Sequence, residues 1–148
     1  MQPKRISRKK LEPDYLVLDG EFFEVEFYYT DADEIVIWDD FKKLSENEKT
    51  TFFLRVEKLA NSAHGTIHPK TIFNLEDAEE KIWAIKFGNN RFCSFFFEGG
   101  KIIITNAYKK QSQSNRKKET AQIKKAAKMK ADYTKRTQEK AYYRESEE

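Results

Sequence analysis

The sequence predicts an α+β fold, a small antiparallel sheet with elements in the order strand–helix–helix–strand–strand–strand–helix and helices packed on one face. Three observations carry this expectation. Apolar and acidic residues alternate over residues 22–30, and three apolar runs between residues 81 and 107 are separated by tight-turn sequences. Apolar residues recur at helical spacing over residues 33–61. A long lysine-rich stretch with a thin apolar stripe follows the last strand.

Residues 1–20 mix basic side chains, two prolines and a closing Gly20, which reads as a mobile basic arm with a short ordered piece at Tyr15–Leu18. The domain proper then spans residues 21–138, and residues 139–148 read as a frayed acidic tail that includes Tyr142 and Tyr143. In the first strand, Phe23, Val25 and Phe27 share one face and Glu24 and Glu26 the other. The carboxylates of Asp31, Asp33 and Glu34 suit the start of a helix over about residues 33–43, with Ile37, Phe41 and Leu44 inward. Ser45 and Glu48 have capping-box spacing, so a second helix starts there and runs to about Asn61 on Phe52, Val56 and Leu59.

Residues 62–80 read as a loop. Lys81–Phe87, Arg91–Phe97 and Lys101–Ala107 form a meander, turning through Gly88-Asn89-Asn90 and Glu98-Gly99-Gly100. A polar connector, Gln111–Asn115, leads into a helix over about residues 115–138, whose stripe is Ile123, Ala127, Ala131 and nearby Met129, with Tyr133 beyond. The strand Arg91–Phe97 sends Phe92 and Phe96 one way and Cys93, Phe95 and Phe97 the other. It therefore needs cover on both sides, from the terminal helix, the N-terminal arm or another protein.

Composition bounds the function. The 148 residues suit one domain, and 39% hydrophobic content with 12 Phe, 7 Tyr and 2 Trp is enough for a core. No apolar run approaches the roughly 18 residues of a membrane span, and no apolar stretch follows the basic N-terminus as a secretory signal requires. A cytoplasmic protein without membrane contact is expected. The single Cys93 excludes an internal disulfide and a cysteine-built metal site. Net charge is only +3, yet residues 14–100 carry 9 basic and 18 acidic side chains, and residues 101–140 carry 13 basic and 3 acidic. A basic third on an acidic body points to a polyanion, of which nucleic acid is the commonest; a solvated lysine-decorated helix is the other reading.

Three ordered blocks then resemble the RelE/ParE toxin superfamily, and most closely its HigB-type, phage-derived branch. They are Lys81-Ile82-Trp83-Ala84-Ile85-Lys86-Phe87, Asn90-Arg91-Phe92-Cys93-Ser94-Phe95-Phe96, and Gly99–Lys110 ending Ala107-Tyr108-Lys109-Lys110. Phe23-Glu24-Val25-Glu26-Phe27-Tyr28 is similar to that family's first strand. The resemblance implies a RelE-like toxin fold with a long basic C-terminal helix. It also implies a type II toxin that cleaves mRNA on the ribosome, with no metal and no cofactor, inhibits translation, and is held by a cognate antitoxin, often a helix-turn-helix protein.

Such chemistry, attack of a ribose 2′-hydroxyl on the neighbouring phosphate, needs cations around a phosphorane and groups that move two protons. By this resemblance the catalytic candidates are Arg91, Lys86, Lys109 and Lys110: Arg91 matches the strand arginine, Lys86 stands where arginine is usual, and Lys109–Lys110 match the closing lysine pair. Lys101, Arg116, Lys117, Lys118 and Lys124 are the candidates for RNA binding. The sequence departs from the pattern at Ala84, where glutamate is usual, at Ser94, where tyrosine is usual, and at Ser114-Asn115, where threonine-proline is usual. His64 and His68 flank Gly65 and precede Pro69, which argues against a helical metal pair, and Cys93 reads as a packed apolar residue. A second class of function stays open, a non-catalytic protein of the same fold that poisons DNA gyrase or retains only antitoxin or nucleic-acid binding.

Overall fold

In the computed structural model, which describes residues 15–111 and 116–143, nine elements follow one another. They are β1 (Leu16–Asp19), β2 (Glu24–Phe27), α1 (Trp38–Lys42), α2 (Glu46–Ala60), β3 (Phe73–Asp77), β4 (Ile82–Phe87), β5 (Asn90–Phe97), β6 (Lys101–Lys109) and α3 (Arg116–Gln138). The strands form one six-stranded sheet in the order β1-β2-β6-β5-β4-β3.

The α+β class holds, but the sheet is mixed rather than antiparallel. β2 runs parallel to β6, with Glu24 opposite Lys101 and Phe27 opposite Ile104, while every other pairing is antiparallel. A parallel neighbour needs a long crossover, and everything between β2 and β6 serves as one. Two strands arise outside the expected set. β1 falls on the short ordered piece expected at Tyr15–Leu18, within the stretch otherwise read as an arm, and β3 lies within the stretch expected to be a loop; each forms an edge of the sheet.

The helices occupy both faces, not one. Phe52 of α2 sits among Phe27, Phe41, Phe87 and Phe92 with ring centroids 5.1–6.3 Å away. On the other face Tyr133 of α3 meets Phe95 at 5.5 Å and Phe97 at 4.8 Å. The terminal helix thus supplies the second cover that the two-sided strand β5 requires. Burial of each such ring contributes about 1.5–3 kcal/mol, so both layers are needed for a stable sheet.

Local signals set the helix ends. α2 starts on the capping box: Ser45 Oγ accepts from the Glu48 amide (3.1 Å), and Glu48 Oε1 accepts from the Ser45 amide (2.9 Å). Its C-terminus is closed by the β1–β2 turn, where the Phe22 and Phe23 amides donate to Ala60 O at 2.9 and 3.0 Å. Gly20 permits this approach, because a Cβ there would collide with Ala60. α1 is shorter than expected, starting at Trp38. Asp33 adopts φ +64°, and Tyr29 bridges to Ile35, so residues 30–36 form a turn instead of a first helical turn.

The C-terminal end also departs from expectation. The stripe of α3 is Ala126, Tyr133 and Arg136, with Ile123 and Met129 beside it, whereas Ala131 is exposed. Tyr142 is only 1% exposed and Tyr143 packs beside it, so these two rings are docked rather than frayed, while residues 139–141 are exposed. Lys140, at φ +58°, turns the chain back, and the Ala141 amide donates to Arg136 O at 2.7 Å. The remaining parts of the arm, the connector and the tail (1–14, 112–115 and 144–148) lie outside the described residues.

Candidate nucleic-acid interface

The two-residue turn Gly88-Asn89 fixes the register of the β4–β5 hairpin, and Gly88 supplies the positive φ (+56°) that such turns demand. Lys86 and Arg91 are consequently direct cross-strand partners. Residues so paired point to one face, here the face covered further along by α3. Arg91 Nη1 donates to Gly88 O (2.9 Å) and Asn90 O (3.0 Å), which anchors the guanidinium on the hairpin tip. Beneath Lys86 the backbone is clamped as well: its amide donates to Ile72 O (2.9 Å), and its carbonyl accepts from Arg55 Nε (3.0 Å).

A bulge in β6 decides which further residues join this pair. From Phe97–Lys101 to Ser94–Ile104 the register is regular, but Phe92 faces Ala107, so β6 carries one extra residue at Thr105-Asn106. One inserted residue exchanges the faces of everything beyond it. Tyr108 is thereby brought opposite Arg91, in one row with Lys86. Burial, reinforced by the nearby carboxylates of Glu76 and Glu119, raises the Tyr108 phenol well above its ordinary range, and Arg91 opposes this. At neutral pH Tyr108 is therefore a hydroxyl donor.

The same bulge sends Lys109 to the opposite face, opposite Asn90. There Asn90 Nδ2 donates to Glu48 Oε2 (2.8 Å), and Lys109 shares a small cleft with Asp40 and Lys43. The Ser45 backbone amide and Asn90 hold the Glu48 carboxyl below its usual range, with Lys109 adding to the effect. Lys110 returns toward α3, where its ammonium pairs with Glu119 Oε1 at 3.0 Å. The four candidates therefore do not converge completely: Lys86 and Arg91 are together, Lys110 is tied to the adjoining helix, and Lys109 lies on the other face.

The RNA-binding candidates also divide. Arg116, Lys117, Lys118 and Lys124 are exposed on the first turns of α3, which the Lys110–Glu119 bridge fastens to the end of β6. Lys101 is different. Its ammonium is bound by Glu24 Oε1 (2.6 Å) and Glu26 Oε2 (2.7 Å) and lies 4.8 Å from the centroid of the Tyr143 ring. With two carboxylates already on it, Lys101 is not free to neutralise a phosphate, and its place is structural.

Other titratable groups are absorbed by packing. Burial pushes the Cys93 thiol up to about 12, so it stays protonated. His64 packs on Phe23 and Phe96, and His68 on Phe73. Among the described residues no three His, Cys, Asp or Glu side chains are grouped to hold a metal ion, and no helix is long and apolar enough to cross a membrane. Tyr108 and Glu119 were missed by sequence reasoning. Only a knowledge of the bulge would have revealed the first, and only the docking of α3 the second.

Residues 39–131 match the family described as Phage derived protein Gp49-like (DUF891), a family of the RelE/toxin-like group, and the chain belongs to it. The match covers well over half of the chain, from α1 through most of α3, and includes every residue of the Lys86–Arg91–Tyr108 row. No curated protein matches the chain.

Proposed function

We propose that this Gp49-like chain is the toxin of a type II toxin–antitoxin pair and acts as an endoribonuclease on mRNA in translating ribosomes, in the cytoplasm and without metal. The observation that carries the reading is the row Lys86–Arg91–Tyr108 across β4, β5 and β6, with the exposed cations of α3 at the same end of the sheet. Arg91 is suited to grip two non-bridging oxygens of the scissile phosphate, because a guanidinium is planar and always charged. Lys86 adds a second positive charge against the phosphorane, and the Tyr108 hydroxyl donates a hydrogen bond to it. Attack by the 2′-oxygen, whose proton passes to water, forms a bond to phosphorus and breaks the bond to the 5′-oxygen, which takes a proton from water, leaving a cyclic phosphate and a 5′-hydroxyl. Arg116, Lys117, Lys118 and Lys124 contact phosphates on either side, giving affinity without sequence choice.

Purified protein added to a translation extract is expected to generate new mRNA ends. Arg91→Ala is expected to lower their rate of appearance by about a hundred- to a thousand-fold while the protein stays folded. The incomplete convergence of the lysines favours one rival, a non-catalytic relative that binds nucleic acid or poisons DNA gyrase. Intact mRNA together with gyrase-dependent DNA breaks would establish that rival. A cognate antitoxin, expected to be a small helix-turn-helix protein, is the partner this reading requires.

A further inference from the structure

β6 is longer than its neighbour. β2 pairs with it only over Lys101–Ile104, whereas β5 accompanies it as far as Lys109. The last five residues of β6 therefore have a strand on one side only. The Lys110 amide donates to Asn89 O at 2.7 Å, on the β5 side. Backbone groups alternate along a strand, so Ala107 and Lys109 direct their N–H and C=O groups to the side without a strand. Such an edge is a ready template for another extended chain.

This edge does not open onto bare solvent. It forms the floor of two adjoining clefts of about 510 and 160 Å³, which share Asp40 and Ala107. One wall comes from α1 and its flanks, with Val36 and Lys43; the other comes from α3, with Lys125, Lys128 and Met129. The floor's own side-chain amide is occupied, since Asn106 Nδ2 donates to Gln122 O and Gln122 Oε1, both at 3.0 Å. What the floor presents is main chain at strand spacing, and what the rim presents is an excess of positive charge: Lys43, Lys109, Lys125 and Lys128 against Asp40.

We propose that this slot takes an extended acidic segment of a partner protein, which adds as a strand beside Asn106–Lys109 of β6 with its carboxylates against Lys125 and Lys128. A strand of four residues spans about 13 Å, with side chains alternating toward α1 and toward α3. Apolar side chains on the α1 side meet Val36; acidic ones on the α3 side meet Lys125 and Lys128. Nucleic acid is the poorer occupant, because it has no main-chain donors and acceptors at strand spacing to pair with the edge of β6. The inference goes beyond the nuclease reading, since it concerns the other side of β6 and stands whether or not RNA is cut.

The test is amide-resolved NMR titration of the full-length protein with four probes: an octapeptide of alternating Glu and Val, its Lys-for-Glu counterpart, the acidic peptide N-methylated at alternate amides, and octauridylate. The acidic peptide is expected to shift and protect the Ala107 and Lys109 amides. It should bind at least about tenfold more weakly to the K125E/K128E variant, whose melting temperature confirms its fold. N-methylation or lysine replacement in the peptide should abolish binding. Equal binding of the N-methylated peptide, displacement by octauridylate at those two amides, or no perturbation there by the acidic peptide would each overturn the proposal.

Discussion

The α3-covered face of the sheet has two ends built from the same chemistry, lysine, arginine, tyrosine and carboxylate, and balanced in opposite ways. At the β2 end Glu26 is 1% exposed and accepts from Tyr143 Oη (2.6 Å) and Lys101 Nζ (2.7 Å). Tyr143 is also 2.5 Å from the Tyr133 hydroxyl. Arg136 Nη1 donates to Tyr29 O (2.9 Å) and Asp132 Oδ2 (2.8 Å), and its guanidinium carbon lies 4.6 Å from the Tyr142 ring centroid. Each of these cations is matched by carboxylate or carbonyl oxygen. At the hairpin end Lys86 and Arg91 face Tyr108, and the exposed cations at the start of α3 outnumber the one carboxylate there, Glu119. The contrast teaches that a basic segment is not one functional unit. Lys101 and Arg136 belong to residues 101–140 by sequence but hold the fold together, Lys110 and Lys130 are bonded to Glu119 and to Glu80 O, and exposed cations such as Arg116, Lys117, Lys118 and Lys124 are left to meet a polyanion.

The largest expected effect is at the satisfied end. Tyr133→Ala removes a fully buried ring that touches Phe95, Phe97 and Tyr142. It should cost roughly 3–5 kcal/mol by denaturant unfolding, against less than about 0.5 kcal/mol for Lys86→Ala. Similar values for the two would erase the distinction between the ends.

A smaller effect sharpens it. Burial raises the Glu26 carboxyl to about 7 from the ordinary 4.5, despite the opposing pull of Lys101. Between those two pH values the folded state holds a proton that the unfolded chain has released. Glu26 therefore contributes stability that is fully present below pH 4.5 and is lost as pH rises through 7. Unfolding free energy followed from pH 4.5 to 7 should fall from this group, and Glu26→Gln should flatten that fall. An unchanged slope in the variant would mean that Glu26 is not the titrating group.

How much of this was legible in the sequence depends on how local each signal is. The capping box of α2 and the two-residue turn of the β4–β5 hairpin are short-range, so the helix start and the Lys86–Arg91 pairing could be read directly. β1 and β3 are four- and five-residue edge strands whose existence depends on the neighbour they pair with. The Lys101 pairing required knowing that β2 lies parallel to β6, a contact across 77 residues. Tyr108 goes unnoticed and Lys109 is grouped with Arg91 because a single bulge, invisible in composition or alternation, exchanges the faces of these two residues. Tyr142 and Tyr143 looked like tail because the residues beside them are acidic, while their rings are stacked on Tyr29 and against Tyr133. Shape-dependent features of this kind follow from tertiary packing and leave no local mark.

The most direct measurement removes one lysine from each end and reads two quantities, melting temperature and the salt dependence of single-stranded RNA affinity, on Lys101→Met and Lys86→Ala in parallel. Lys101→Met, which strands Glu26, is expected to melt roughly 5 °C lower with an unchanged salt slope. Lys86→Ala is expected to keep its melting temperature, bind RNA more weakly and lower the salt slope by about 1. A Lys86→Ala protein that binds RNA as the parent does, or a Lys101→Met protein that loses RNA affinity at unchanged stability, would contradict the division of the face into a structural end and an RNA-facing end.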